Sequence, residues 1–413
     1  MATQLNELEY NNIKIPVIYE KHKTLPIFNL QLVFENSGTI KDVKKPGLSN
    51  ISALLLNEGT KKLGSVEFAD LLESKAISIS SSAGFETFVI EINCLEEQFE
   101  YSIELLAQLL LDPNYTQKTL EKLKTLQISK LQQRESDFDY IASRELKKIT
   151  YKGTVLENSS SGTVASISSI TLDDIKKNIS EVLNINNLII STGGSLQYET
   201  IISKLNPVLK ILNSNPANHF KKIDFNASSK EVITQKDTQQ SYIYFASPFD
   251  IEPNSPDSYK SKVASFILGG SGFGSRLMEE IRVKNGLAYS AYGYVTNKKS
   301  HSNFTGYLQT KLENTQKAKE LVVKIIEEFV QNGVTQKELD AAKKFLLGSE
   351  PLRTETFSQR LNRAFMLYYN GLDFDYPQKE LDKINSLTLE DLNNFIKSHK
   401  EILNLSFSIV TKS

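Results

Sequence analysis

The sequence predicts an α+β fold made of two homologous halves, each an antiparallel-rich mixed sheet covered by helices on one face. Two observations support this prediction. Similar segments recur in the same order in the two halves of the chain. Within each half, segments with the alternating pattern of strands are separated from runs with helical periodicity. This segregation is typical of α+β folds rather than of doubly wound α/β sheets.

The internal repeat rests on two pairs of segments. Residues 116–121 (TQKTLE) resemble residues 335–340 (TQKELD), and residues 167–175 (ISSITLDDI) resemble residues 384–392 (INSLTLEDL). The offsets are 219 and 217 residues. A single match of this kind is a common helix start, whereas two matches in one order at nearly one offset indicate a duplication.

Composition predicts the boundary between the halves. The polar, turn-rich stretch at residues 213–218 (NSNPAN) is followed by a charged stretch at residues 221–230, as is typical of a linker. We therefore predict an N-terminal domain at residues 1–212, a linker at about 213–230 and a C-terminal domain at residues 231–413. The length of 413 residues agrees with two such halves.

Apolar periodicity predicts the elements of each half. For the first half we predict strands at residues 14–19, 27–34, 85–95 and 187–191, and helices at residues 47–60, 99–111, 120–133 and after a Thr171 cap. For the second half we predict strands at residues 241–245, 288–295, 303–309 and 404–410, and helices at residues 259–268, between 314 and 369, and after a Thr388 cap.

Composition excludes several classes of protein. The net charge of −1 does not favour a nucleic-acid-binding protein, and Cys94 is the only cysteine, so no disulfide framework exists within the chain. The four histidines have no metal-site spacing. The sequence has no apolar run long enough for a membrane span. Residues 1–12 show no signal-peptide pattern, so we expect a cytoplasmic protein, or a periplasmic one if a leader has been removed.

A glycine-rich run at residues 269–274 (GGSGFG) precedes a charged helix and a strand. The run lacks the Gly-Lys-Ser/Thr ending of a phosphate-binding loop, so it is either a flexible turn between helices or a loop that contacts substrate through Gly270 and Gly272. Arg282 and Tyr289 lie on either side of a tight turn and are expected to converge. The pair suits a peptide carbonyl or carboxylate, although an arginine in a surface ion pair and a core tyrosine remain the simpler interpretation.

The segments 47–60 and 275–290, together with the two-half organisation, resemble the pitrilysin/insulinase family of zinc metallopeptidases, which includes mitochondrial processing peptidase. The resemblance covers nearly the whole chain, and SRL, EIR and GLAYS within residues 275–290 are its most specific part. It implies two similar α+β domains in about 400 residues.

The resemblance places the family's inverted zinc motif, His-x-x-Glu-His, on a helix in which this chain has Asn50, Ala53 and Leu54. The region that matches the family's third ligand, residues 122–134, has no acidic residue. Zinc hydrolysis needs about three protein ligands and a base. We therefore expect no metal or cofactor in this chain and no peptide hydrolysis by the chain alone.

The resemblance assigns Arg282 and Tyr289 to the family's Arg/Tyr pair, which binds substrate opposite the zinc. It implies a zinc-free subunit of a heterodimer whose homologous partner supplies the zinc. An extended peptide would bind as an added strand at residues 77–85, at Ile77, Ile79 and Ser81, although an ordinary edge strand is equally consistent. The alternative is a structural or peptide-binding scaffold similar to the core proteins of the respiratory bc1 complex.

Overall fold

The structure is a computed structural model that describes residues 3–22 and 25–412. It has two mixed sheets and 16 α-helices in that part of the chain, which confirms the predicted α+β fold class. The strands are β1 (Gln4–Tyr10), β2 (Ile13–Lys21), β3 (Ile27–Glu35), β4 (Ser78–Ala83), β5 (Thr87–Leu95), β6 (Leu188–Gly194), β7 (Glu231–Gln235), β8 (Gln240–Pro248), β9 (Ala288–Asn297), β10 (Ser302–Lys311) and β11 (Ser406–Thr411).

The helices follow the same division of the chain. Those before β7 are α1 (Leu48–Leu56), α2 (Gly64–Glu73), α3 (Phe99–Leu111), α4 (Gln117–Arg134), α5 (Phe138–Thr150), α6 (Val164–Ser169), α7 (Leu172–Val182), α8 (Tyr198–Ser203) and α9 (Asn206–Leu209). Those after it are α10 (Ser258–Ser265), α11 (Arg276–Met278), α12 (Thr315–Asn332), α13 (Gln336–Gly348), α14 (Phe357–Tyr369), α15 (Tyr376–Ser386) and α16 (Leu389–Ser398). Two π-helical turns, Phe266–Gly270 and Glu279–Lys284, extend α10 and α11.

The two sheets have the same topology. The first has the strand order β1-β2-β6-β3-β5-β4 and the second has the order β7-β11-β8-β10-β9. When the edge strand β1 is left out, each sheet has five strands and one parallel pair. This pair is β2 with β6 in the first sheet and β7 with β11 in the second, and the other pairs are antiparallel. A duplicated chain folds twice in the same way, so this match accounts for the sequence repeat.

Local capping signals determine several helix starts. The Thr171 and Thr335 side chains each accept a backbone N–H three residues on, from Asp174 and Glu338, in capping boxes. The Thr388 side chain accepts the Asp391 N–H at the start of α16. The sequence did not predict β1 or β7. Both are edge strands with few buried side chains, so they lack the alternating apolar pattern that identifies the other strands.

The chain forms two compact units. The first unit contains residues 1–133, 158–220 and 355–366, and the second contains residues 134–157, 221–354 and 367–413. Each unit has its own apolar core, in which helices pack against its sheet. No helix in residues 3–22 and 25–412 is long and apolar enough to cross a membrane.

Each unit includes a helical segment from the other half of the sequence. In the second unit, α5 contributes Ile141 and Ala142, which pack with Val410 on the face of the sheet opposite the main core. In the first unit, Arg360 of α14 donates to the buried Glu20 carboxylate at 2.7 Å. The helices α5 and α14 begin 219 residues apart, at the offset of the sequence repeat. In both halves of the sequence, therefore, a helical segment packs in the unit that the other half mainly forms.

Candidate functional site

The Arg282–Tyr289 pair lies in the second unit, where the π-helical turn after α11 leads into β9. The turn closes at Gly286, whose φ of +60° suits glycine, and its N–H donates to the Arg282 carbonyl at 3.0 Å. In the pairing of β9 with β10, Ala288 lies opposite Thr310 but Ala291 lies opposite Leu308, so β9 has one extra residue. A bulge of this kind redirects side chains. It accounts for the exposure of Tyr289, which is 82% exposed.

The guanidinium of Arg282 lies close to two aromatic rings. Its central carbon lies 4.4 Å from the ring centroid of Tyr289 and 4.6 Å from that of Phe273. Both rings are largely exposed, Phe273 at 70%. Among residues 3–22 and 25–412, no carboxylate forms an ion pair with Arg282. We call Phe273, Arg282 and Tyr289 the aromatic–arginine cluster. A surface ion pair for Arg282 and a core position for Tyr289, the simpler interpretation of the sequence, are both wrong.

A half-buried ion pair anchors the start of the helix that carries Arg282. Arg276 donates through Nε and Nη2 to the two carboxylate oxygens of Glu338, at 2.5 and 2.9 Å, and also to the Gly333 carbonyl at 2.8 Å. Burial opposes the ionisation of Glu338, but the hydrogen bonds from Arg276 and Thr335 outweigh it and lower the pKa of this carboxyl to about 2. The anchor fixes α11 against α13, and thereby positions the π-helical turn that carries Arg282.

The glycine-rich run is a packed element followed by an exposed loop. A Cβ at Gly269 would lie 2.5 Å from the backbone nitrogen of Gly293 in β9, so only glycine allows this close approach. Gly270 ends the π-helical turn beside the Ser265 carbonyl, and Gly272 has a φ of +66° next to the Tyr292 ring. The loop beyond them carries Phe273. Sequence reasoning missed this residue, although an aromatic side chain between two glycines is a signal of an exposed contact.

The helix that matches the zinc motif is α1 in the first unit. The Asn50 side chain donates to the Ser160 carbonyl at 2.5 Å, Ala53 is buried, and Leu54 is 37% exposed. An amide already used as a donor, a methyl group and an isobutyl group do not fit zinc or activate water. Among residues 3–22 and 25–412, no group of three or more His, Cys, Asp or Glu side chains is arranged to hold a metal ion.

The region matched to the third ligand lies in α4. Gln127 donates to the Ser161 carbonyl at 2.9 Å, and Lys122 pairs with Glu58 at 2.9 Å. Asn50 and Gln127 therefore hold adjacent carbonyls of one segment, residues 158–162 (NSSSG), from α1 and from α4. We call this segment the serine loop. The polar groups at these positions of α1 and α4 bind protein backbone.

The strand expected to receive a peptide is β4, at the edge of the first sheet. Ile77 and the Ser81 side chain are buried and Ile79 is half-buried. The Asn57 amide at the end of α1 donates to the Ser81 carbonyl at 2.9 Å and accepts its N–H at 2.6 Å. This side chain occupies the middle of the free edge, so an added strand would have to displace it.

Two family models together match most of the chain. Residues 17–164 match the model described as "Insulinase (Peptidase family M16)", and residues 169–346 match "Peptidase M16 inactive domain". The sequence is 44% identical over 410 residues to "Non-peptidase homolog YmxG" of Helicobacter pylori. This alignment covers 99% of this chain and 95% of the relative.

Solved structures share the fold. The peptidase M16 inactive domain from Pseudomonas fluorescens superposes with a TM-score of 0.88 at 24% identity, over 99% of this chain and 98% of that one. A chain of complex III2 from Candida albicans gives a TM-score of 0.77 at 15% identity, over 96% and 94%. The family expectation drawn from residues 47–60 and 275–290 is thereby confirmed, and the chain belongs to peptidase family M16, the insulinase family.

Proposed function

We propose that this chain is the non-catalytic, zinc-free subunit of a heterodimeric zinc metalloendopeptidase of the M16 family, in which Arg282 and Tyr289 bind the peptide in the partner's site. The observation that carries the proposal is the pairing of two features. The aromatic–arginine cluster presents a half-buried guanidinium beside an exposed phenol, and no carboxylate of the described residues pairs with that guanidinium. Asn50, Ala53 and Leu54, in contrast, provide no ligand and no base.

The chemistry of the pair suits substrate binding. Arginine offers a planar fork of donors and tyrosine offers a hydroxyl. Tyr289 is largely exposed and Arg282 is half-buried, so neither side chain belongs to the core. A charged hydrogen bond to a peptide carbonyl is worth roughly 1.5–3 kcal/mol. If that bond forms in the transition state, its loss lowers turnover about 10- to 150-fold. The name of the Helicobacter pylori relative, a non-peptidase homologue, agrees with a chain that does not cleave peptides alone.

Co-expression tests the proposal. The chain is produced alone and together with a homologous chain from the same source cell that contains His-x-x-Glu-His, and both preparations are assayed for zinc and for cleavage of unfolded peptides. We expect chelator-sensitive cleavage only from the pair. In the pair, Arg282→Ala and Tyr289→Phe should lower turnover while the dimer persists in size-exclusion chromatography. Stoichiometric zinc with turnover in the chain alone, or full turnover in both variants, would contradict the proposal.

A second candidate function is a structural or peptide-binding scaffold. It is favoured by the first unit, where Asn57 occupies the middle of the β4 edge and Asn50 and Gln127 hold the serine loop. These contacts make positions near the expected peptide site part of the protein's own structure. A stable complex that binds peptides without cleaving them, with or without the zinc-binding partner, would favour the scaffold.

A further inference from the structure

The two sheets differ at one edge. In the first sheet, β1 pairs antiparallel with β2, and Leu8 and Tyr10 of β1 pack against the first apolar core. The strand that corresponds to β2 in the second sheet is β7, because β2 and β7 form the parallel pairs with β6 and β11. Within residues 3–22 and 25–412, no strand pairs with the other side of β7. The second sheet therefore lacks the cover that β1 gives to the first.

The hydrogen bonds to β11 show which backbone groups of β7 remain open. The Lys230 carbonyl accepts the Phe407 N–H at 2.8 Å. The Lys236 N–H donates to the Thr411 carbonyl at 2.9 Å. Alternate residues of a strand bond to alternate sides, so the even-numbered residues bond to β11. The N–H and C=O groups that point away from β11 belong to Glu231, Ile233 and Gln235. We call this row of groups the β7 edge.

The β7 edge has few of the features that protect an exposed strand. Its centre is Val232, Ile233 and Thr234, which are uncharged and β-branched, and the strand has no proline and no shift of register. Ile233 is 56% exposed. Proteins commonly protect edges with charged side chains, proline or bulges. An unprotected edge of strand-forming residues favours the addition of a further strand.

Two lysines indicate what kind of strand fits. Lys230 and Lys236 flank the β7 edge, six positions apart. No carboxylate in the described part of the chain pairs with either ammonium. The acids beside them are already used, in the ion pairs Glu231–Lys319 and Asp237–Lys412. The β7 edge is therefore apolar at its centre and positively charged at both ends.

This charge pattern disfavours a second copy of the chain as the occupant. In antiparallel pairing of two copies centred on Ile233, Lys230 of each copy would lie opposite Lys236 of the other. Like charges directly opposite each other in a sheet are destabilising, whereas opposite charges stabilise the pair. A strand with a carboxylate at each end complements the edge.

We propose that the β7 edge binds an extended segment of another protein as an added strand, with an apolar residue opposite Ile233 and a carboxylate opposite each of Lys230 and Lys236. The site goes beyond the proposed function. Because β7 and β9 lie at opposite ends of the second sheet, the site includes no residue of the aromatic–arginine cluster.

Three labelled peptides test the occupant by fluorescence anisotropy with the full chain. The first, acetyl-Glu-Val-Thr-Val-Thr-Val-Glu-amide, reads the same in both directions and so fits either strand orientation. The second has lysine at both ends, and the third has the first sequence with an N-methyl group on the central valine. We expect the acidic peptide to bind about five- to tenfold more tightly than the basic one, and the N-methylated peptide to lose most of its binding. The double variant Lys230→Glu with Lys236→Glu should reverse the preference for charge.

Amide hydrogen exchange tests the position of the added strand. Binding of the acidic peptide should slow exchange at Glu231, Ile233 and Gln235 and leave Val232 and Thr234, which already bond to β11, unchanged. Ile233→Pro removes the central outward N–H without removing a bond to β11, so it should abolish binding. If this variant does not fold, the N-methylated peptide still tests the central pair in the unaltered chain.

Four outcomes would overturn the inference. They are failure of all three peptides to bind, equal affinity for the acidic and basic peptides, protection that does not alternate along β7, and a dimer in sedimentation velocity that Ile233→Pro dissociates. The last outcome would make a second copy the occupant. The result is independent of the proposed function, because absence of turnover in the co-expressed pair leaves binding at the β7 edge unaffected.

Discussion

Asn57 holds Ser81 by both of its backbone groups, donating to the carbonyl at 2.9 Å and accepting the N–H at 2.6 Å. The Ser81 hydroxyl adds a third link, to the Ala53 carbonyl at 2.8 Å. A side-chain amide offers one donor and one acceptor in nearly the geometry of a neighbouring strand. Asn57 thus does for β4 what an extra strand residue would do, and it protects an edge that would otherwise be open to pairing.

We expect Asn57→Ala to destabilise the first unit and to expose this edge. Loss of the hydrogen bonds to Ser81 should lower the free energy of unfolding by about 1–3 kcal/mol. The open edge should increase self-association, which sedimentation velocity would detect. Asn186→Ala removes one exposed hydrogen bond in the same unit, to the Asn215 carbonyl, and serves as the control. Equal stability and equal association in the two variants would contradict the role assigned to Asn57.

The serine loop should open when either of its two holding amides is removed. Asn50→Ala and Gln127→Ala each delete one hydrogen bond to the loop, worth about 1 kcal/mol, so amide exchange at Ser161 and Gly162 should speed up about fivefold. Gln117→Ala, which removes a hydrogen bond to Glu121 at the start of α4, is the matched control. Unchanged exchange in both loop variants would show that the loop is held by other contacts.

The free energy of unfolding should fall as the pH rises from about 4 to 6, because Asp42 loses its proton in this range. Burial raises its pKa to about 6, although hydrogen bonds from the Ser49 N–H and hydroxyl at the start of α1 favour the charged form. The folded state therefore binds more protons than the unfolded state between the ordinary carboxyl pKa near 4 and pH 6. Stability contributed by the protonated form is present below that window and is lost as the pH rises through it.

Urea unfolding between pH 4 and 7 measures this effect. A pKa difference of about two units corresponds to about 3 kcal/mol as an upper bound. Asp42→Asn cannot titrate, so the difference between wild type and variant should change across pH 4–6 and then become constant. A difference that is independent of pH would mean that Asp42 titrates normally.

Gly269→Ala should destabilise the second unit, since the new methyl group would press on the Gly293 backbone. Overpacking of this kind costs about 1–3 kcal/mol. Gly348→Ala is the matched control, because a Cβ there meets open space at the end of α13 and should be neutral or slightly stabilising. If thermal unfolding shows the same stability in both variants, the close approach of Gly269 to β9 is not required.

Much of the fold was predictable because its signals are local. The helix predicted at residues 99–111 is α3 with the same bounds, and the threonine caps lie where the sequence indicates them. Arg282 and Tyr289 were expected to converge because a short turn separates them. Phe273 was not expected there, since it lies nine positions before Arg282 in a glycine-rich loop, and such a loop does not specify where its aromatic residue packs.

The sequence by itself determined the duplication, the M16 resemblance and the absence of ligand side chains at positions 50, 53 and 54, because residue identity and spacing are written directly in the chain. The tertiary structure decided which unit receives α5 and which receives α14, the hydrogen bonds between Asn57 and Ser81, and the contacts of Arg282 with two aromatic rings. An amphipathic pattern specifies that a helix buries one face but not which sheet receives it. Hydrogen bonds and ring contacts between distant residues depend on a register that only the folded chain sets.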